Sequence, residues 1–221
     1  MSRTLIFNNM EIQNFVCNMF GENTYIVIDS DTKDCIIIDP GMMTPAEVSA
    51  VDNFIEEKEL KVNKILLTHL HIDHAMGVNH LKEKYGVEVY ANEKDAILGA
   101  RIAEQIQLFH LPITLGKVTI DQYLNEKDTI TFGGLQLTAI STPGHSPGSL
   151  SYYNRDKKIV FTGDALFKQS IGRTDLPGGD YATLINSITE KILTLPDSTI
   201  ICPGHGPTTT VKDEKKFNPY V

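Results

Sequence analysis

The stretch Thr68-His69-Leu70-His71-Ile72-Asp73-His74 places three histidines and a carboxylate within six residues, directly after the apolar run Ile65-Leu66-Leu67. Imidazole nitrogen and carboxylate oxygen are both ligand types that zinc-like divalent ions take. Where a strand runs into a helix, His69 and His71 alternate to one side, while Asp73 and His74 turn toward a second position. One loop can then supply two neighbouring ions. The competing explanation is a chance cluster of solvated loop histidines; four donors at this spacing, with no Lys or Arg among them, weigh against it.

Working outward, Lys64–Leu67 reads as the strand that delivers this loop, and a helix is expected over His74–Tyr85, stopped by Gly86. Upstream, Asn23–Ile28 and Cys35–Ile38 read as two strands. Thr44-Pro45 with Glu47 reads as an N-cap, a first-turn proline and an early acid opening a helix to about Glu59. Val87–Tyr90 is the next strand. Residues 92–128 lack a clear period; Ala96–Phe109 favours helix and Leu111–Val118 extended chain, so this segment is expected to be an insertion on the active-site side. Strands follow near Thr129–Phe132, Leu135–Ser141, Ser149–Asn154, Ile159–Thr162 and Thr199–Cys202, with helices over Tyr181–Leu195 and Thr210–Phe217. Strands first and strand–helix units after them, in both halves, predict one domain over 1–221: an α/β (α+β) fold of two packed sheets with helices outside, a four-layer αββα sandwich.

Three more donors sit in Gly/Pro-rich turns after predicted strands: His145 in Thr142-Pro143-Gly144-His145-Ser146-Pro147-Gly148, Asp164 in Thr162-Gly163-Asp164-Ala165, and His205 in Cys202-Pro203-Gly204-His205-Gly206-Pro207. Glycine permits close backbone approach and proline stiffens the loop. Any one of them alone reads as a polar turn residue. Four loops ending four strands at one sheet edge would converge on a preorganised metal site.

The order HxHxDH, lone His, lone Asp, lone His resembles the metallo-β-lactamase superfamily, from Asn23 to His205. Gly163-Asp164-Ala165-Leu166-Phe167 with Ser170-Ile171-Gly172-Arg173-Thr174-Asp175 resembles glyoxalase II-type hydrolases, and the Asn218-Pro219-Tyr220 ending resembles their short bacterial group. The resemblance implies that His69, His71 and His145 hold one metal, that Asp73, His74 and His205 hold a second, and that Asp164 bridges them. It also implies two divalent ions per chain, zinc first with iron or manganese as alternatives. Two such ions lower the pKa of a shared water toward about 7, and Asp73 is placed to orient that water. The implied reaction is hydrolysis of a small thioester such as S-lactoylglutathione, with no protein nucleophile and, accordingly, no Gly-x-Ser-x-Gly elbow. Arg173 falls at the family's basic substrate-binding position; pairing with Asp175 or Asp180 is the alternative for it. Persulfide dioxygenation on a single iron, and a non-catalytic metal- or partner-binding role, are the competing functions.

The totals narrow the classes further. With 20 Lys+Arg against 28 Asp+Glu the net charge is −8 over 221 residues, without a basic tract, so a nucleic-acid partner is not expected. No apolar run approaches the roughly 20 residues of a membrane span, and the first residues lack the apolar stretch of a signal peptide. Cys17, Cys35 and Cys202 are odd in number without CxxC spacing, so they read as free thiols in a reducing compartment, the cytoplasm. His80 is expected to be structural or exposed, and His110 is a candidate for the mouth of the site.

Overall fold

The structure is a computed structural model that describes residues 3–221. Fifteen strands are found among these residues. The first sheet carries, in spatial order, β1 (Arg3–Phe7), β2 (Met10–Cys17), β3 (Glu22–Asp29), β4 (Asp34–Ile38), β5 (Lys61–Leu66), β6 (Glu88–Ala91) and β7 (Gln122–Tyr123). The second is built from β8 (Thr129–Phe132), β9 (Leu135–Ser141), β10 (Leu150–Asn154) and β11 (Ile159–Gly163). It is completed by β14 (Ile200–Pro203) and β15 (Thr209–Thr210), in the order β15-β14-β11-β10-β9-β8. A short hairpin, β12 (Leu166–Phe167) and β13 (Ser170–Ile171), stands apart.

Side-chain alternation of period two decides which layer each strand face meets. On β4, Ile36 and Ile38 enter the space between the sheets with Tyr25, Val27, Leu137, Tyr152 and Phe161. Cys35 and Ile37 face the other way, against Val51 and Ile55 of helix α1 (Pro45–Glu57) and Leu81 of α2 (Val78–Tyr85). On β11, Ile159 and Phe161 point inward. Val160 packs outward on Leu184 of α5 (Tyr181–Ser187) and Val211 of α6 (Val211–Phe217). Three apolar interfaces between four layers give the expected αββα sandwich, and each fully buried Ile or Phe contributes about 1.5–3 kcal/mol to holding it.

Local chemistry fixes the element ends. Thr44 forms a capping box with Glu47 at the start of α1: Glu47 N–H donates to Thr44 Oγ1 (3.3 Å) and Thr44 N–H to Glu47 Oε2 (2.8 Å). Gly86, at φ 65°, ends α2. The helix expected from His74 starts later. Ile72–His74 form one 3-10 turn, Gly77 N–H is drawn to Pro40 O (2.8 Å), and α2 begins at Val78. The helix expected over Tyr181–Leu195 is α-helical only to Ser187 and widens to a π turn over Ile188–Ile192. There the Thr189 hydroxyl donates to Ile185 O (2.9 Å) and competes for that carbonyl. The 92–128 segment is not wholly outside the sandwich. Its first part forms α3 (Ala96–Ala100) and α4 (Ile102–Leu108), and its end pairs with β6 as edge strand β7.

The three cysteines are free and buried, and burial pushes each thiol up to about 12. In the folded protein at pH 8, iodoacetamide is expected to label none of them, whereas all three react after unfolding; mass spectrometry reads the difference. Labelling that outpaces unfolding would contradict their enclosure. Among the described residues, no helix is long and apolar enough to cross a membrane.

Candidate metal centre

The loops leaving β5, β9, β11 and β14 meet at one edge of the sandwich, because β4, β5 and β6 are parallel in one sheet and β11 and β14 are parallel in the other. All seven predicted donors come together there. His69, His71 and His145 each offer a ligand atom within 4.8 Å of the others, and so do Asp73, His74 and His205. The His69 and His145 Nε2 atoms are 3.2 Å apart, as are those of His74 and His205; His71 Nδ1 is 2.8 Å from His145 Nε2. Asp164 stands between the sets, Oδ1 3.2 Å from His74 Nε2 and Oδ2 3.5 and 3.6 Å from the Nε2 atoms of His145 and His205.

The outer nitrogens show that this cluster suits cations. His74 Nδ1 faces Asp39 Oδ2 (3.0 Å), His145 Nδ1 faces Arg173 O (2.7 Å) and His205 Nδ1 faces Phe20 O (3.2 Å). His69 Nδ1 faces Thr68 Oγ1 (3.1 Å), whose own proton goes to Asp39 Oδ2. Each of these partners accepts, so the neutral ring that a cation requires would carry its proton on Nδ1 and turn its Nε2 lone pair inward. Lone pairs facing one another at 3.2 Å cannot hydrogen-bond. Donors about 2.0–2.1 Å from a tetrahedral ion lie about 3.3 Å from each other, which is the separation found. Asp164 Oδ1 is buried with no hydrogen-bond partner among the described residues, as a group reserved for a cation would be. The backbone closes around it: a Cβ on Gly204 would strike that same oxygen and the His74 ring.

Charge is divided within the cluster. Burial holds His69 well below its ordinary range, helped by the imidazoles around it, and lowers His71 to about 3. Burial opposes charge on His74 and His205 as well. There, however, the carboxylates of Asp164 and Asp73, with Asp39 beside His74, outweigh it and raise both. Asp73 and Asp164 are held low against their own burial, chiefly by His74. The site is thus neutral on the His69–His71 side and ion-paired on the His74 side.

Asp39, the residue after β4, escaped the sequence reading. At φ 50° it accepts from Thr68 N–H and Oγ1–H (2.6 Å each) besides facing His74. The available signal was a carboxylate directly after a buried apolar strand, in Asp39-Pro40-Gly41. Asp95 was missed too. It ties the His71 loop to the His145 loop by accepting from Leu70 N–H (3.2 Å), Ser146 Oγ–H (2.7 Å) and Gly148 N–H (2.6 Å). Gln105 of α4 braces the same loop through Ile72 N–H (2.8 Å) and Leu70 O (3.2 Å).

Above the donors lies a cavity of 240 Å³ walled by Phe20, Phe109, Leu176, Arg173 and five of the donors. Phe20 and Phe109 meet edge to face, with centroids 5.7 Å apart, across its mouth. Arg173 borders the cavity, but its guanidinium is engaged with Asp175 by two bonds of 2.6 and 2.7 Å; Asp180 instead caps α5. His80 pairs with Asp52 (2.9 Å). His110 is exposed just past α4 and outside these walls, and its neighbour Phe109 holds the place at the mouth.

A family model described as the metallo-beta-lactamase superfamily matches residues 18–205. The chain is 40% identical over 214 residues to the hydroxyacylglutathione hydrolase GloC of Haemophilus influenzae, covering 96% of this chain and 98% of that one. Among solved structures it is similar to the BLEG-1 B3 metallo-beta-lactamase, with TM-score 0.86, 36% identity, and 95% and 98% of the two chains covered. It is also similar to TTHA1623 in a di-iron-bound form, with TM-score 0.83, 33% identity and 94% and 99% covered.

Proposed function

Since the chain belongs to the metallo-beta-lactamase superfamily, we propose that it is a dinuclear-metal hydrolase that cleaves a small thioester, of the acylglutathione kind or a close analogue. When bound, a pair of divalent ions supplies a hydroxide at neutral pH and polarises the carbonyl under attack. His69, His71 and His145 would hold one ion, Asp73, His74 and His205 the other, and Asp164 would face both. That each triad is complete supports two ions rather than one iron.

The observation that carries the thioester is what remains of the cavity wall once the donors are set aside: Phe20, Phe109, Leu176 and Arg173. That remainder holds neither a nucleophile nor a general acid. An amine or alkoxide leaving group requires a proton, whereas a thiolate departs without one. Water adds to the carbonyl carbon, and the C–S bond breaks with its electron pair leaving on sulfur. The products are a carboxylate, a thiolate that takes up a proton to become the thiol, and one released proton. Asp73 and Asp164 orient the water and hold its proton, and the two phenylalanines limit access of bulk solvent. The 40% identity to a hydroxyacylglutathione hydrolase supports the same substrate class.

Thiol release from S-lactoylglutathione by zinc- or manganese-loaded protein tests this reading, with Asp164→Ala as the control. Release that is lost in the control supports it. Hydrolysis of a cephalosporin with every thioester left intact would overturn it. Arg173 is proposed to bind the substrate's carboxylate by exchanging its exposed bond to Asp175. Arg173→Ala should therefore raise KM several-fold with kcat nearly unchanged and leave Tm within about 2 °C. A fall in kcat at constant KM would remove that role.

A further inference from the structure

The metal cavity continues into a second hollow of 130 Å³ along α4, and the two share His71, Phe109 and Leu176. The other apolar walls of this slot are Leu98, Leu108 and Pro177. Of its polar linings, Gln105 is already committed. Gln105 gives its amide hydrogens to Leu70 O and Leu98 O and its oxygen to Ile72 N–H. Arg101 and Glu104 pair with each other at 3.8 Å. Away from this exposed pair the slot offers apolar contact area, with Leu108 61% exposed beside it.

Resting on the thioester reading, we infer that this slot receives the acyl tail of the substrate, an apolar chain of about four carbons or a phenyl ring. The volume holds about four groups of water or methyl size at roughly 30 Å³ each. Of the two halves of a thioester, the carrier thiol is the polar one and stays in the wider cavity bordered by Arg173; the acyl half is the one an apolar wall selects. Because His71 is the only donor bordering the slot, the carbonyl lies over the His69–His71–His145 position. A hydroxyl farther along the tail would lose its water against these apolar walls, so simple aliphatic or arylalkyl tails are preferred over polar ones.

The test pairs calorimetric binding of linear carboxylates, acetate to octanoate, to the zinc-loaded protein with kcat/KM for the matching N-acetylcysteamine thioesters. Affinity is expected to climb about three- to fourfold per methylene until the tail fills the slot, then level off. Leu108→Asp should flatten that climb, while Ile97→Asp, on α3 and outside the slot, should keep it. A flat series in the unmodified protein, or an unchanged climb in a Leu108→Asp protein that still unfolds cooperatively, would overturn the slot. A climb with carboxylates but no thioester cleaved would overturn the thioester reading and leave the tail site standing. Cleavage with a flat series would overturn the slot alone.

Discussion

Asp164→Ala is expected to lower thioester turnover by about a hundred- to a thousandfold, the usual cost of removing one preorganised charge from an active site, and to reduce metal content below two ions per chain. Asp164→Asn keeps the shape and should do nearly the same, because the charge facing both donor sets is lost. Metal analysis beside the assay separates loss of ions from misfolding. A second readout lies in the metal-free protein. Burial disfavours charge on His74, yet Asp164, the first of the carboxylates beside it, helps raise its proton affinity. A raised histidine contributes stability that is present below its unfolded value near 6.5 and is lost as pH rises through the folded one. The metal-free protein should thus lose stability above pH 6.5 as His74 and His205 give up protons, and the loss should shrink in Asp164→Asn. On the acid side the sign reverses, since His71, lowered to about 3, contributes stability that fades as pH falls from about 6.5 toward that value. Turnover surviving intact in Asp164→Ala would sink the ligand assignment.

Asp39→Ala should have the largest effect on stability. Three buried donors, two on Thr68 and one on His74, would lose their acceptor. At about 1–3 kcal/mol for each orphaned group the three cost about 3–9 kcal/mol, or at least roughly 6–12 °C in Tm for a chain of this size. Metal affinity should also fall about ten- to a hundredfold, because Asp39 fixes the ring orientation and tautomer of His74. Asp39→Asn, with its oxygen kept on Thr68 N–H, turns its NH2 on both Thr68 Oγ1–H and His74 Nδ1–H, so it should recover part of the Tm and little of the affinity. Calorimetry with a metal titration checks both; wild-type values in Asp39→Ala would refute the bracing role.

The sequence exposes this site unevenly, for physical reasons. His69, His71, Asp73 and His74 are legible because four candidate donors crowd one loop, and His145, Asp164 and His205 because Gly/Pro turns follow recognisable strands. Asp39 is illegible as a brace. Before Pro40-Gly41 it reads as any turn acid, and its role exists only because parallel pairing sets β4 beside β5 and brings Thr68 to its oxygens. Asp95 and Gln105 lie in a stretch without period, and their partners in the donor loops are 25 to 53 residues away. Strands β1 and β2 escaped notice for a different reason. They stand at the sheet's margin, where Ile6 and Val16 are apolar yet exposed, so residue type does not alternate between the faces although Leu5, Phe7 and Ile12 still turn to the core.

The donors are also divided between the sheets. His69, His71, Asp73 and His74 hang from β5 of the first; His145, Asp164 and His205 hang from β9, β11 and β14 of the second. Each proposed ion would take ligands from both, so the seam between the sheets works as a gauge of the reactive geometry. Its spacing is set just beneath the donor loops by the side chains that fill it, Tyr25 against Phe161 with ring centroids 5.2 Å apart, and Tyr152, whose hydroxyl crosses to Leu67 O at 2.7 Å. One residue of strand is only about 3.3 Å long, about as far as two donors stand apart, so slippage of a fraction of a residue between the sheets would detune the centre. Core packing, which elsewhere sets only how stable a protein is, here also sets the distance across which the site must act.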